Sequence, residues 1–294
     1  MSVEKGLGRL GFAGLGRMGL PMARRLCAAG FAVQVWNRSP GAAGEARVAG
    51  AEPVAELAEL FTGNTAVLMC LANQDAADAL LGRDHDRLAV PVAGRTLIQL
   101  GTTAPAHSES LCRAIEAEGG RYVEAPVSGS RKPAEDGTLI GMIGAASEAD
   151  FALAERLLAP LTARTFRCGP PPAAMTMKLA VNSFLIAMVM SLAETWSFAR
   201  RLQVDLPLLR DILDAGPMAS AVSRGKLAKL VESDMTAQAS IADVLMNAGL
   251  VAGLADAIGF PLPLGRVSQD MLRCAVEAGF GSEDMIAVEK VVGR

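Results

Sequence analysis

Histidine is nearly absent from this chain of 294 residues: it has two, His85 and His107. The five cysteines, Cys27, Cys70, Cys112, Cys168 and Cys274, stand singly, and none has the paired spacing of a zinc site or a redox motif. Neither a metal centre nor a disulfide framework is therefore expected. An excess of one charge is missing too. With 28 basic and 31 acidic residues the net charge is -3, and no basic stripe is offered to nucleic acid. The uncharged run 179–193, bracketed by Lys178 and Glu194, falls short of the roughly twenty residues a bilayer needs. It is expected to be a buried helix, not a membrane span. At the N-terminus there is no basic segment followed by an apolar run and a cleavage site, so a cytoplasmic location is expected.

What the chain does have is an apolar majority, 51% hydrophobic residues against 20% charged, enough for a core of some size and for two domains. Near its start a short apolar strand, 10–13, runs into Gly14, Gly16 and Gly19 and then into a helical run carrying Met18, Met22, Ala23 and Leu26. Each glycine has a task in a dinucleotide fingerprint. Gly14 allows a tight turn, Gly16 lets a pyrophosphate approach the backbone, and Gly19 lets helix and strand pack closely. The phosphates then sit on a helix N-terminus, where unpaired N–H groups favour an anion. The bland alternative is a tight surface loop.

The end of the second strand distinguishes the two dinucleotides. An NAD site places an acidic residue there for the ribose hydroxyls. This chain reads Asn37-Arg38-Ser39 instead. An amide, a guanidinium and a hydroxyl suit a 2′-phosphate, so NADP(H) is favoured over NAD(H). The remaining strand candidates are 66–71, 96–100, 122–125, 139–143 and 165–168, with helical spacing between them at 42–48, 54–60, 74–81, 108–118 and 149–158. Alternating apolar strands and helices predict an α/β fold, a Rossmann-type doubly wound and mostly parallel sheet over 1–170. Ligands in such sheets bind beyond the carboxyl ends of the strands. The cofactor contacts are accordingly expected from Gly14, Leu15, Gly16, Arg17, Met18, Gly19, Asn37, Arg38 and Ser39, and from Leu71, Ala72 and Thr102.

Past residue 170 no strand candidate remains, and 171–294 reads as an all-α domain joined by a long helix. That helix, opened by Pro170-Pro171-Pro172 and reaching about Arg201, is apolar almost all round and is expected to be buried on every side. Lys178 and Asn182 interrupt it one turn apart on one face, so both can address one small molecule. By itself such a lysine is more often a snorkelling surface residue. The run 241–258 carries more than one apolar stripe. About 125 residues of helix have too small an interior to bury all of this, and a homodimer or a dimer of dimers is expected.

Taken together, the stretch 11–23, Ala125-Pro126-Val127-Ser128-Gly129-Ser130, the segment 134–139, Lys178-Leu179-Ala180-Val181-Asn182 and the closing 278–288 span nearly the whole chain in order. In these motifs the sequence resembles the beta-hydroxyacid dehydrogenases, the family of 3-hydroxyisobutyrate dehydrogenase and the glyoxylate and succinic semialdehyde reductases. The resemblance implies hydride transfer between a nicotinamide and a small 3-hydroxyacid or aldehyde acid. It further implies that Lys178 is the general acid/base, that Asn182 holds the substrate, and that Ser128, Gly129 and Ser130 bind the substrate's carboxylate, chiefly through backbone N–H groups. The chain departs from the pattern at Ser130, where a second glycine is usual, at Gln99-Leu100-Gly101-Thr102, where the family has Asp-x-Ser-Thr, and at Pro172 and Ala174, where it has glycines. A family Lys-Asp pair near the C-terminus is replaced by Met246-Asn247, which makes for a less charged pocket. Two alternatives stay open: an NADPH-dependent imine reductase, a class that resembles this fold but generally lacks the lysine and the Pro-Val-Ser-Gly stretch, and a non-catalytic NADP-binding protein.

Overall fold

The computed structural model describes residues 8–39 and 41–292. The chain forms two compact units, one ending at Lys178 and the other beginning at Leu179. In the first, strand β1 (Leu10–Ala13) is buried along its whole length and lies in parallel between β2 (Val33–Trp36) and β4 (Ala66–Met69). Its residues alternate between two apolar layers, Leu10 and Phe12 in one and Ala13 in the other, because successive side chains of a strand point to opposite faces. Helices α1 (Gly19–Ala28), α2 (Gly41–Val48), α3 (Leu57–Thr62), α4 (Gln74–Leu81) and α5 (Pro105–Ala117) alternate with β3 (Glu52–Pro53), β5 (Thr96–Gln99) and β6 (Arg121–Glu124). All pairings as far as β6 are parallel. The strand order, β3-β2-β1-β4-β5-β6, reverses direction at β1/β4, which makes that junction the switch point of a doubly wound sheet.

Beyond β6 the sheet is no longer wholly parallel. Strand β8 (Leu139–Gly144) runs antiparallel to β6 and to the two-residue β7 (Val127–Ser128), while β9 (Thr162–Gly169) pairs with β8 in parallel. Neither β3, β7 nor the six-residue helix α6 (Arg131–Asp136) was expected from the sequence, since segments this short hold no readable period. Helix α7 (Glu148–Leu158) is capped by the Ser147 hydroxyl, which accepts from Asp150 N. Helix α5 starts three residues ahead of its periodic run because Pro105 opens its first turn. Strand β9 is longer than 165–168 because Thr162 and Arg164, wholly or partly in solvent, hide its ends from an apolar count.

Helix α8 (Ala173–Arg201) begins in the first unit and continues as the backbone of the second. There Ile186, Val189, Met190, Ala193 and Trp196 pack with residues of α10 (Ala221–Glu232), α11 (Ile241–Ala257) and α12 (Pro263–Ala275), and with Met285–Val291, a 3-10 helix. Helix α9 (Leu206–Ala215) borders this core through Leu206, Leu209 and Leu213. By length and composition α8 could cross a membrane, and 44% of its most apolar window is buried inside the protein. The expectation that α8 is buried on every side is corrected: Met177, Phe184 and Phe198 are exposed. The core formed by one chain covers one flank of the helix and leaves the other open.

The ion pair between Lys226 and Asp284 lies wholly inside this unit. Lys226 Nζ donates to Asp284 Oδ1 at 2.6 Å, and the two carboxylate oxygens also take Gln238 N (3.0 Å) and Ile286 N (3.2 Å). Asp284 thereby ties α10 to the start of the closing 3-10 helix. Desolvation lowers the Lys226 pKa and the Asp284 charge opposes that shift.

Candidate functional site

The glycines at the end of β1 divide the labour as their contacts require. Gly14 has φ +93, and a Cβ there would lie 2.3 Å from Cys70 O. Only glycine fits this backbone and this approach. A Cβ on Gly19 would meet Gly14 O at 1.9 Å, so the turn folds back against the first residue of α1. Gly16 is exposed, with nothing within 4 Å of a Cβ. That opening is where a ligand can approach the backbone. Helix α1 has no side-chain cap and no acidic residue in its first turn, which leaves N–H groups and the positive end of the dipole turned to an incoming anion.

The other expected segments converge on this turn. A Gly14 Cβ would lie 3.0 Å from Leu71 Cδ2, and a Gly101 Cβ would lie 2.7 Å from Leu71 O, so the ends of β1, β4 and β5 crowd together. Ala72 is exposed and Thr102 half-buried beside them. Leu15 is buried, Arg17 exposed and Met18 partly buried. Asn37 does something the sequence did not announce. Its Oδ1 accepts from Leu15 N at 2.9 Å and its Nδ2 donates to Ser39 O at 2.8 Å, so it braces the glycine turn against the end of β2. Arg38 and Ser39 stand in solvent at that end. A tight glycine turn, an uncapped helix start and a cation at the second strand's end fit a dinucleotide with its pyrophosphate on α1.

Further along, Ser128 ends β7 and Ser130 immediately precedes α6. Gly129 between them has φ +134, and a Cβ would lie 2.6 Å from Leu139 Cδ2. Only a glycine lets the backbone bend there, and its exposed position leaves the peptide accessible.

On α8, Lys178 is 7% exposed and Asn182 5%. Lys178 does not snorkel at the surface: it is buried, because the stripe Ala174, Met175, Lys178, Leu179, Asn182 and Ile186 is the inward face of the helix. Among the described residues the Lys178 ammonium has no ion-pair partner. Desolvation lowers its pKa from 10.5 to about 8. A cation poised near neutrality can both give and take a proton. Asn182 Nδ2 donates to Asn247 Oδ1 at 3.1 Å, and Asn247 Nδ2 donates to Asp243 O at 2.8 Å. The replacement Met246-Asn247 thus puts a neutral amide beside Asn182.

Sequence reasoning missed Glu124. Fully buried at the end of β6, it accepts the Ser108 hydroxyl at 2.5 Å through Oε1, and Ala174 N (2.9 Å) and Met175 N (3.3 Å) through Oε2. Desolvation raises its pKa, and the Ser108, Ala174 and Met175 hydrogen bonds oppose the rise. An acidic residue just ahead of Ala125-Pro126-Val127-Ser128 was visible, but its distant partner in α8 was not. Across the strands, Gln99 is buried opposite Glu124, with no hydrogen-bond partner among the described residues at either side-chain polar atom.

A doubly wound sheet with an open glycine turn at its switch point, followed by a helix that buries a titratable lysine, defines a nicotinamide-dependent oxidoreductase. Comparison with known proteins is specific. Residues 9–169 match the NAD binding domain of 6-phosphogluconate dehydrogenase, and residues 173–292 match the NAD-binding domain of NADP-dependent 3-hydroxyisobutyrate dehydrogenase. Glyoxylate/succinic semialdehyde reductase 1 of Arabidopsis thaliana is 30% identical over 96% of this chain and 98% of its own. L-threonate dehydrogenase of Cupriavidus necator is 29% identical over 96% and 95%. The crystal structure of 3-hydroxyisobutyrate dehydrogenase from Salmonella typhimurium superposes with a TM-score of 0.87 at 26% identity, covering 97% of this chain and 99% of that one. The chain belongs to the beta-hydroxyacid dehydrogenase family, and it is an NAD(P)-dependent oxidoreductase acting on hydroxyl or carbonyl groups of small molecules.

Proposed function

We propose that this protein interconverts a small hydroxyacid and the corresponding aldehyde acid or keto acid with NADP(H), using Lys178 as general acid/base. The observation that carries the proposal is a buried lysine with no counter-ion among the described residues, one helical turn from a buried asparagine. When bound, the dinucleotide supplies the hydride that the carbonyl carbon takes up. The carbonyl oxygen gains the electron pair of the broken π bond, and the Lys178 ammonium stabilises that charge and gives it a proton. In the reverse direction the neutral amine takes the hydroxyl proton. Asn182 orients the substrate, and the backbone N–H groups of Ser128, Gly129 and Ser130 receive its carboxylate. The named relatives act on hydroxyacids or aldehyde acids, which share that carboxylate. The Asn247 amide beside Asn182 favours a substrate with little charge at its far end. A screen of NADPH oxidation with small aldehyde acids and with cyclic imines tests the assignment. Turnover of the acids supports it, whereas turnover of imines alone assigns the protein to the imine reductases and no turnover of either supports a binding protein.

The cofactor preference rests on Arg38 and Ser39, with Asn37 recast as the brace between them and the glycine turn. NADPH is expected to bind at least tenfold more tightly than NADH, about 1.4 kcal/mol, modest for one charge-assisted phosphate contact. Titration of both by quenching of intrinsic fluorescence checks this. Arg38→Ala should bring the two affinities together, and equal affinities in the unaltered protein would refute the assignment.

The oligomer follows from what the helical unit leaves uncovered. Phe184 is 71% exposed, Ile258 72% and Leu264 71%, with Phe198, Ile212 and Val267 also in solvent. Single exposed apolar residues are ordinary, but a small helical unit with this many has surface to cover. A homodimer or a dimer of dimers, with an interface above about 2,000 Å² in total, is the expected cover. Light scattering over a dilution series should give at least twice the 30.5 kDa chain mass at micromolar concentration. A particle at the chain mass would overturn it.

A further inference from the structure

Helix α8 carries Lys178 in its second turn, and something must set the height of that turn. The first N–H groups of a helix have no partner within it. Here two of them, Ala174 N and Met175 N, are taken by one buried carboxylate, Glu124 Oε2. Its other oxygen is held by Ser108, whose hydroxyl is itself bonded to Tyr122 Oη at 2.8 Å. The approach depends on a glycine opposite: a Cβ on Gly144 would lie 2.5 Å from Glu124 Oε2 and 3.1 Å from Ala174 Cβ. Ala174 and Lys178 are four residues apart, on one face and one turn apart. Lys178 makes no polar contact of its own among the described residues that would fix it, so its place is inherited from the first turn.

We propose that Glu124 is a positioning residue for the reaction: through Ala174 and Met175 it anchors the start of α8, and Gly144 is the gap that admits the anchor. This rests on the assignment of Lys178 as general acid/base. A negative group at a helix N-terminus is also favoured by the helix dipole, so orientation and electrostatics act together. A catalytic group displaced by about 1 Å can cost a hundredfold in rate.

Two variants approach the anchor from opposite sides. Glu124→Leu removes the acceptor at similar size, and Gly144→Ala keeps the carboxylate but wedges a Cβ 2.5 Å from its Oε2 and 3.1 Å from Ala174 Cβ, forcing the carboxylate and the helix start apart. Each is expected to lower kcat ten- to a hundredfold, with KM and NADPH affinity within about twofold, and to speed hydrogen exchange of the 174 and 175 amides at least tenfold. Glu124→Gln should recover most of the rate. Its carbonyl can accept from the two amides while its NH2 donates to Ser108, which then donates to Tyr122. Unchanged exchange in both disruptive variants would overturn the anchor. Faster exchange with normal kcat, in a protein that Lys178→Ala inactivates, would overturn the positioning role. Normal turnover in Lys178→Ala would overturn the assignment of Lys178 itself, and the exchange data would still decide whether the anchor exists.

Discussion

Replacing Lys178 with alanine is expected to lower kcat by roughly two to four orders of magnitude while leaving NADPH affinity within about twofold. The lysine sits on α8, whereas the proposed dinucleotide contacts come from the ends of β1, β2, β4 and β5, so the two losses should separate. A second substitution distinguishes chemistry from packing. Burial lowers the Lys178 pKa from 10.5 to about 8, so at pH 7 the folded protein keeps a charge buried at a cost of about 3 kcal/mol. The unfolded chain binds more protons between those two pH values, so this penalty is in full force below pH 8 and is relieved as pH rises from about 8 toward 10.5. Lys178→Met should therefore abolish turnover and raise the unfolding free energy at pH 7 by about 1–3 kcal/mol, the trade expected of a residue kept for function. An inactive but destabilised Lys178→Met variant would mean that the lysine is there for packing.

The largest loss of stability is expected at Asp284. Removing it leaves the Lys226 ammonium buried without its anion and frees the backbone N–H groups of Gln238 and Ile286. Breaking one side of a buried pair typically costs about 3–5 kcal/mol, which for a chain of this size lowers Tm by roughly 10 °C. Asp284→Ala measured by thermal unfolding checks this, and a loss below about 1 kcal/mol would contradict it. The double variant Lys226→Met with Asp284→Leu should recover part of the loss, because the buried charge is gone and only the two backbone contacts stay unpaired.

The parts of this protein that were legible in its sequence are those written in local periods. The glycine turn, the parallel strands β1, β2, β4, β5 and β6 and the helices after residue 170 each announce themselves within about fifteen residues. Strand β7 and helix α6 do not, being too short to carry a period, and so the antiparallel turn of the sheet at β8 was not foreseen. Asn37 stands out in the sequence by its place at the end of β2, but its partners, Leu15 and Ser39, follow from backbone geometry that residue types do not disclose. Lys178 and Asn182 were legible because a helix puts i and i+4 on one face. Glu124 was not, because its partners Ala174 and Met175 lie 50 and 51 residues away and meet it only when the sheet is assembled. Complete burial of α8 was an overestimate, since apolarity all round a helix says that cover is needed and not which chain supplies it.

The proposed role of Lys178 depends on its protonation, and the most direct measurement is the pH dependence of kcat/KM in both directions. Oxidation of the hydroxyacid needs the neutral amine and should rise with pH to a plateau above about 8; reduction of the carbonyl acid needs the ammonium and should fall above the same value. Both limbs should vanish in Lys178→Ala. Profiles that are flat through pH 8, or limbs that persist in that variant, would contradict the assignment.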